Sequence, residues 1–174
     1  RTYTAYVSYL IIFIIGMNLF VRYREKVFLE KADNERRLNE LKEAKKMQEG
    51  MLPKVFPTSE HFEISAGLIT STEVGGDYYD FFKTEGSIYA VCGDATGHGT
   101  SAGMVVSVTK SALNGLPFIS TSYVLENINN IIKKIKLGSL RMSLNICKIE
   151  KSKITMSSAA MPPIYHYVAK SNKC

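Results

Sequence analysis

The chain has 174 residues, 45% of them hydrophobic and 22% charged, with 12 glycines, which excludes collagen-like, low-complexity and wholly disordered chains and fits one compact domain. Three cysteines, Cys92, Cys147 and Cys174, form no Cys-x-x-Cys pair; they read as reduced cytosolic thiols, neither a disulfide framework nor a thiolate zinc site. The net charge of +6 divides into +1 at Arg1, +3 over Arg22 to Lys54 and +2 over the rest, with no dense basic stripe carrying interleaved aromatics, so no nucleic-acid partner is expected.

The chain opens on Arg1, not Met, and is read as a fragment. Residues Ala5 to Val21 (AYVSYLIIFIIGMNLFV) are 17 positions without a charge, at the short end of the ~17 to 25 that a bilayer-spanning helix needs. Tyr3, Tyr6 and Tyr9 crowd one end, and Arg22, Arg24 and Lys26 follow the other. That asymmetry puts the C-terminal side in the cytoplasm and the chain at the cell membrane. A signal peptide lacks support because there is no basic leader or small-residue cleavage site. A buried core helix would have to tolerate three basic residues just beyond its apolar run.

Arg22 to Gln48 contain no Pro or Gly and consist of strong helix formers, so a continuous helix leaves the membrane. Lys31/Glu35, Asp33/Arg37 and Arg36/Glu40 are spaced i,i+4 for ion pairs. A heptad frame through Val27, Lys31, Asn34, Leu38, Leu41, Lys45, Gln48 and Leu52 is only half apolar. It is compatible both with marginal pairing to a second copy, giving a homodimer, and with a solvated single-helix spacer. Gly50, Pro53 and Pro57 end the helix. The organisation is therefore a transmembrane helix over 1–21, a helical linker over 22–54 and a globular part over 55–174.

Within that part His61 to Ile69 alternates like a strand, and Tyr78 to Phe82 and Ser87 to Gly93 read as two more. His98 to Leu113 and Tyr123 to Leu137 show helical spacing, the second ending at Gly138 as a C-cap. Met142 to Ile149 and Ile154 to Ala160 form a hairpin about Glu150 to Lys153. Strands, two helices, then strands indicate an α+β, antiparallel-rich layered fold.

Two Gly-flanked acidic sites interrupt this pattern. In Val74-Gly75-Gly76-Asp77-Tyr78-Tyr79-Asp80-Phe81-Phe82 a carboxylate starts an apolar strand, and in Gly93-Asp94-Ala95-Thr96-Gly97-His98-Gly99 a carboxylate ends one. Asp is disfavoured in strands, and a carboxylate at a buried strand end calls for a counter-charge. Oxygen ligands suit a hard divalent ion, Mg²⁺ or Mn²⁺, and two aspartates on neighbouring strands can bridge a pair of such ions. By alternation Asp80 points away from Asp77 and takes a structural role. His98 is expected to pack or hydrogen-bond locally, and Tyr165, His166 and Tyr167 read as ordinary strand residues.

These motifs, with Gln48-x-x-Met-Leu-Pro53 and Ala159-Ala160-Met161-Pro162-Pro163, resemble the bacterial membrane-linked protein phosphatases of the sporulation and stress-sigma regulatory type, a branch of the metal-dependent protein phosphatase 2C superfamily. The resemblance covers Gln48 to about Tyr167. A Gly-Gly-Asp also occurs in diguanylate cyclases, but Tyr78 stands where they need a glutamate.

The resemblance implies a partial protein phosphatase 2C-like antiparallel β-sandwich flanked by helices. It implies Asp77 and Asp94 as catalytic metal ligands, the Ala95 carbonyl as a further ligand, two Mn²⁺ or Mg²⁺ ions as cofactors and water as nucleophile. It implies a phosphorylated protein substrate of the anti-sigma-factor antagonist type and an N-terminal helix that passes a sensor's state to the metals. Where the family continues into strands with a Thr-Asp-Gly motif and a last aspartate, this chain has only Glu126 and Glu150 after Asp94. Met161 stands for the family's His, and Ser143-Leu144-Asn145 departs from the usual strand. The expectation is a C-terminally truncated phosphatase with little turnover as it stands; the alternative is a catalytically inactive membrane-anchored relay.

Overall fold

Helix α1 runs from Thr2 to Met51, as a stretch of strong helix formers before Pro53 dictates. The computed structural model of the chain describes residues 2–69, 74–151 and 153–170, and the chain divides into two units, Arg1–Glu40 and Leu41–Cys174. In the first, the apolar run is exposed along its length, with Ile12 at 65% and Leu19 at 63%, and it is long and apolar enough to cross a membrane. Arg36–Glu40 and Arg37–Asp33 pair at 2.9 Å, and Lys26–Glu30 at 3.9 Å. All three lie in solvent, where each is worth about 0.3–0.5 kcal/mol. Lys31–Glu35 does not pair.

The second unit is an antiparallel sheet of four strands in the order β1-β2-β3-β4, namely Asp77–Thr84, Ser87–Ala95, Met142–Ile149 and Ile154–Ala159. Helices α2, Thr100–Gly115, and α3, Thr121–Ile135, connect β2 to β3 and pack on one face of the sheet. Tyr78, Tyr89, Val91, Leu144 and Ile146 from the strands meet Val105, Val106, Leu113, Val124 and Ile128 from the helices in one buried cluster. Each such side chain contributes about 1.5–3 kcal/mol of burial. The α+β class and its antiparallel sheet are thus present, with one sheet layer among the described residues.

Local chemistry sets the boundaries. Glu85 and Gly86 make the two-residue turn between β1 and β2, with Gly86 at φ +76°. Gly97 and Gly99 are also left-handed, at φ +88° and +71°, so α2 starts at Thr100 and not at His98. Helix α3 is capped at its start by Ser120, whose Oγ accepts from the Tyr123 N–H at 3.1 Å. It ends at Lys136, left-handed at φ 56°, two residues before the expected Gly138, which lies in the turn that follows.

Two expected strands are not formed. Residues 61–69 are extended, with Phe62, Ile64, Ala66 and Leu68 half-buried and their neighbours exposed, but the segment has no strand partner among the described residues. The alternation reports one-sided burial; a strand also requires a ladder. Residues 161–167 are likewise irregular, so Tyr165, His166 and Tyr167 are exposed coil residues. Cys92 and Cys147 are free thiols, and Cys174 lies outside the described residues.

The last turns of α1 belong to the second unit. Leu41, Ala44, Lys45, Gln48 and Met51 are its covered positions, and Leu52 packs on the core. This part of the heptad frame is therefore taken up by the chain's own domain.

Candidate functional site

Strand register brings the two predicted carboxylates together. Asp77 on β1 and Asp94 on β2 are direct cross-strand partners. Both are exposed, on the sheet face opposite α2 and α3. Residues so opposed have Cβ atoms about 4.5–5.5 Å apart, and like charges there repel. Among the described residues neither carboxylate receives a side-chain hydrogen bond or an ion pair.

Gly76 shapes the space beside them. A Cβ there would lie 2.4 Å from the Ala95 carbonyl oxygen and 2.8 Å from Asp94 Oδ1, so both oxygens face the position that only glycine leaves open. Asp77, Asp94 and the Ala95 carbonyl make an all-oxygen donor set that suits a hard divalent cation. No cluster of three or more His, Cys, Asp or Glu side chains occurs among the described residues. Two carboxylates and one carbonyl are therefore the oxygens that could hold such a cation here.

The segment that carries these groups is strapped from several sides. Ala95 N–H donates to the Gly76 carbonyl at 2.9 Å and Gly99 N–H to the Val74 carbonyl at 3.1 Å. Val74 is buried against Gly103 of α2, where a Cβ would come within 2.7 Å of its Cγ1. Ser143 Oγ donates to the Asp94 carbonyl at 2.8 Å. Thr96 N–H donates to the Arg141 carbonyl, and Arg141 N–H to Thr96 Oγ1, both at 2.9 Å. The Gln48 carboxamide holds Gly75 from α1.

Neighbouring residues register the negative charge. Cys92 lies two residues before Asp94 on the same face; its thiol is pushed up first by burial and then by Asp77 and Asp94. An apolar cavity of about 630 Å³ opens beside Asp77, lined by Ile64, Leu68, Phe81, Cys92 and Asn145 among others. Phe56 closes part of this face, stacked on Tyr79 at 6.5 Å and edge-on to Phe81 at 5.6 Å.

Asp80 stands apart, buried on the helix-facing side as strand alternation requires. It accepts from Lys110 Nζ and Tyr78 OH, each at 2.6 Å. His98 is exposed on its turn, not packed. Sequence reasoning gave Lys110 no role, met Ser143 only in a strand that departs from the family, and met Gln48 only as the head of the Gln-x-x-Met-Leu-Pro motif and as one of four polar positions in a half-apolar frame.

Residues 84–174 match the family described as Stage II sporulation protein E (SpoIIE); Asp94 and Ala95 fall inside that match, and Asp77 precedes it. The chain is similar to Phosphoserine phosphatase RsbU of Bacillus subtilis (strain 168), at 29% identity over 138 residues, 77% of this chain and 41% of the relative. It therefore spans about two fifths of that protein's length. Among solved structures it resembles the SiaA-PP2C domain of Pseudomonas aeruginosa with a TM-score of 0.57 at 13% identity, over 74% of this chain and 55% of that one. That likeness is one of fold.

Proposed function

The chain belongs to the Stage II sporulation protein E (SpoIIE) family, and from that premise we propose that it is part of a membrane-tethered, Mn²⁺- or Mg²⁺-dependent protein phosphatase acting on phosphoserine or phosphothreonine. The observation that carries this reading is the direct opposition of Asp77 and Asp94 beside the space at Gly76. Two like charges side by side on a sheet cost stability and serve no packing purpose on an exposed face. They make sense as a cation site.

Asp77 and Asp94, with the Ala95 carbonyl, would hold up to two ions. A bound divalent cation supplies Lewis-acid stabilisation of phosphoryl oxygens and acidifies water at neutral pH. The chain's own contribution is to hold three oxygen donors at fixed spacing, on a backbone tied to β2, β3 and α2. No side-chain nucleophile is assigned, and exposed His98 has no role in the reaction.

The substrate class follows the similarity to RsbU, whose name makes it a phosphoserine phosphatase, and the resemblance to sigma-regulatory enzymes: a phosphorylated protein of the anti-sigma-factor antagonist type. The apolar helix anchors the chain in the cell membrane with its second unit cytoplasmic, following the basic residues Arg22, Arg24 and Lys26. A homodimer through the linker has only the part of the heptad frame before Leu41 to use, because the later positions cover the domain.

The test is manganese-dependent hydrolysis of a phosphoserine peptide by the full chain in detergent micelles. Two carboxylates bind weakly, so slow turnover needing high Mn²⁺ is expected, lost in Asp94→Asn. Turnover that survives this substitution removes Asp94 from the assigned role. A second reading, a relay without catalysis, is favoured by the missing third carboxylate among the described residues. It predicts Mn²⁺ binding with no hydrolysis at any concentration.

A further inference from the structure

Gln48 is the buried residue of α1, 5% exposed, in a helix whose other described side chains are half-buried or exposed. A buried carboxamide costs free energy unless both its ends are bonded. Here both are, and to one residue: Nε2 donates to the Gly75 carbonyl at 2.6 Å and Oε1 accepts from the Gly75 N–H at 3.0 Å. The side chain gives Gly75 the pair of bonds that an adjacent strand would give.

The two residues after Gly75 make this contact consequential. Gly76 is locked to β2 through its carbonyl and the Ala95 N–H, at 2.9 Å, and has no room for a Cβ. Asp77 comes next, opposite Asp94. Two peptide units therefore separate the clamped residue from the first carboxylate, and the clamp is the α1 contribution to their placement. Packing alone would not call for an amide; methionine fills similar volume at lower desolvation cost.

We infer that Gln48 is a positioning residue: by clamping Gly75 it fixes Asp77 against Asp94 and so sets the affinity of the carboxylate pair for divalent cations. This rests on the metal-site reading of the two aspartates. Gln48 touches neither carboxylate and acts through two peptide units of backbone, one step further out than the groups that hydrogen-bond metal ligands directly.

The experiment titrates the full chain in detergent micelles with Mn²⁺, following free Mn²⁺ by its electron paramagnetic resonance signal. Gln48→Met is expected to raise the dissociation constant roughly tenfold, the lower end of the range for loss of a group bonded directly to a metal ligand. Gln48→Glu is expected to do the same, because a carboxylate can accept from the Gly75 N–H but repels the Gly75 carbonyl. Leu113→Ala, a core truncation distant in sequence from these residues, serves as the control for lost stability and is expected to leave the constant unchanged.

Wild-type affinity in Gln48→Met, or equal weakening in Leu113→Ala, overturns the inference. Absence of Mn²⁺ binding by the wild-type chain defeats the functional reading instead. The clamp is then decided by amide hydrogen exchange of Gly75 in metal-free protein. Protection that Gln48→Met abolishes upholds it, and a Gly75 amide that is already unprotected in the wild type overturns it.

Discussion

Asp77 and Asp80 are three positions apart on one strand and have opposite fates, because an odd separation puts them on opposite faces. Asp77 is exposed and has no ion-pair partner among the described residues. Asp80 is 3% exposed and bound by Lys110 Nζ, Tyr78 OH and the Phe81 N–H. Removing the cation leaves a buried charge unpaired, so Lys110→Met is expected to cost about 3–5 kcal/mol in denaturant unfolding. The same network adds a pH dependence. Tyr78 is raised far above the usual phenol range by burial first, then by its hydrogen bond to Asp80 and by the charge on Asp80. A folded-state value above the unfolded one means that the native state keeps its proton longer. The stability this contributes is complete below about pH 10, the unfolded tyrosine range, and is lost progressively as pH rises beyond it. Tyr78→Phe should therefore lower stability by about 1.5–3 kcal/mol at neutral pH and flatten the decline above pH 10. An unfolding series whose alkaline slope is unchanged in that variant would remove Tyr78 as its source.

At the scale of elements, two tightly packed glycines near neighbouring strand ends are told apart by what a Cβ would displace. A Cβ on Gly93 meets Leu144 Cδ1, Met142 Cε and the Ser143 carbonyl oxygen, each at 2.6 Å, on the helix-facing side of β2. Gly93→Ala should destabilise by about 1–3 kcal/mol, as overpacking does, while the folded fraction still binds Mn²⁺. Gly76→Ala meets a backbone carbonyl and the Asp94 carboxylate, both candidate donor oxygens, so it is expected to lower the unfolding midpoint as well and to abolish Mn²⁺ binding by the fraction that stays folded. Equal Mn²⁺ affinity of the folded fraction in the two variants would deny the distinction. The Gly-Asp motifs, the β1–β2 pair and both helices were legible in the sequence because alternation, helical periodicity and left-handed glycines are local signals. Residues 61–69 were legible as one-sided but not as unpaired, since pairing depends on a partner elsewhere in the chain. The Lys136 cap was hidden by Gly138, the better left-handed residue two positions on. The Gln48 clamp bridges residues 27 apart, a separation at which no periodicity carries information; the sequence offered only the place of Gln48 at the head of the Gln-x-x-Met-Leu-Pro motif.

For the molecule as a whole, the apolar part of α1 is long and apolar enough to cross a membrane. Side chains from Tyr6 to Val21 include Phe13 at 63% and Phe20 at 58% exposed, and none of the span's most apolar window is buried by the chain itself. A continuous apolar surface of this kind needs cover, and on the proposed reading a run ending in Arg22, Arg24 and Lys26 would find it in a bilayer with those residues on the cytoplasmic side. The chain is therefore expected to stay with membranes through alkaline carbonate extraction. Protease added to inverted vesicles should digest the Leu41–Cys174 unit, and protease added to right-side-out vesicles should leave it intact. Replacing Arg22, Arg24 and Lys26 with glutamine should give a mixed orientation, because the charge asymmetry that sets it is gone. Release by carbonate would show that the helix is covered by protein, and digestion only in right-side-out vesicles would invert the topology. An inverted topology would also take the candidate site away from any cytoplasmic phosphoprotein, so this measurement limits the substrate class before any turnover is assayed.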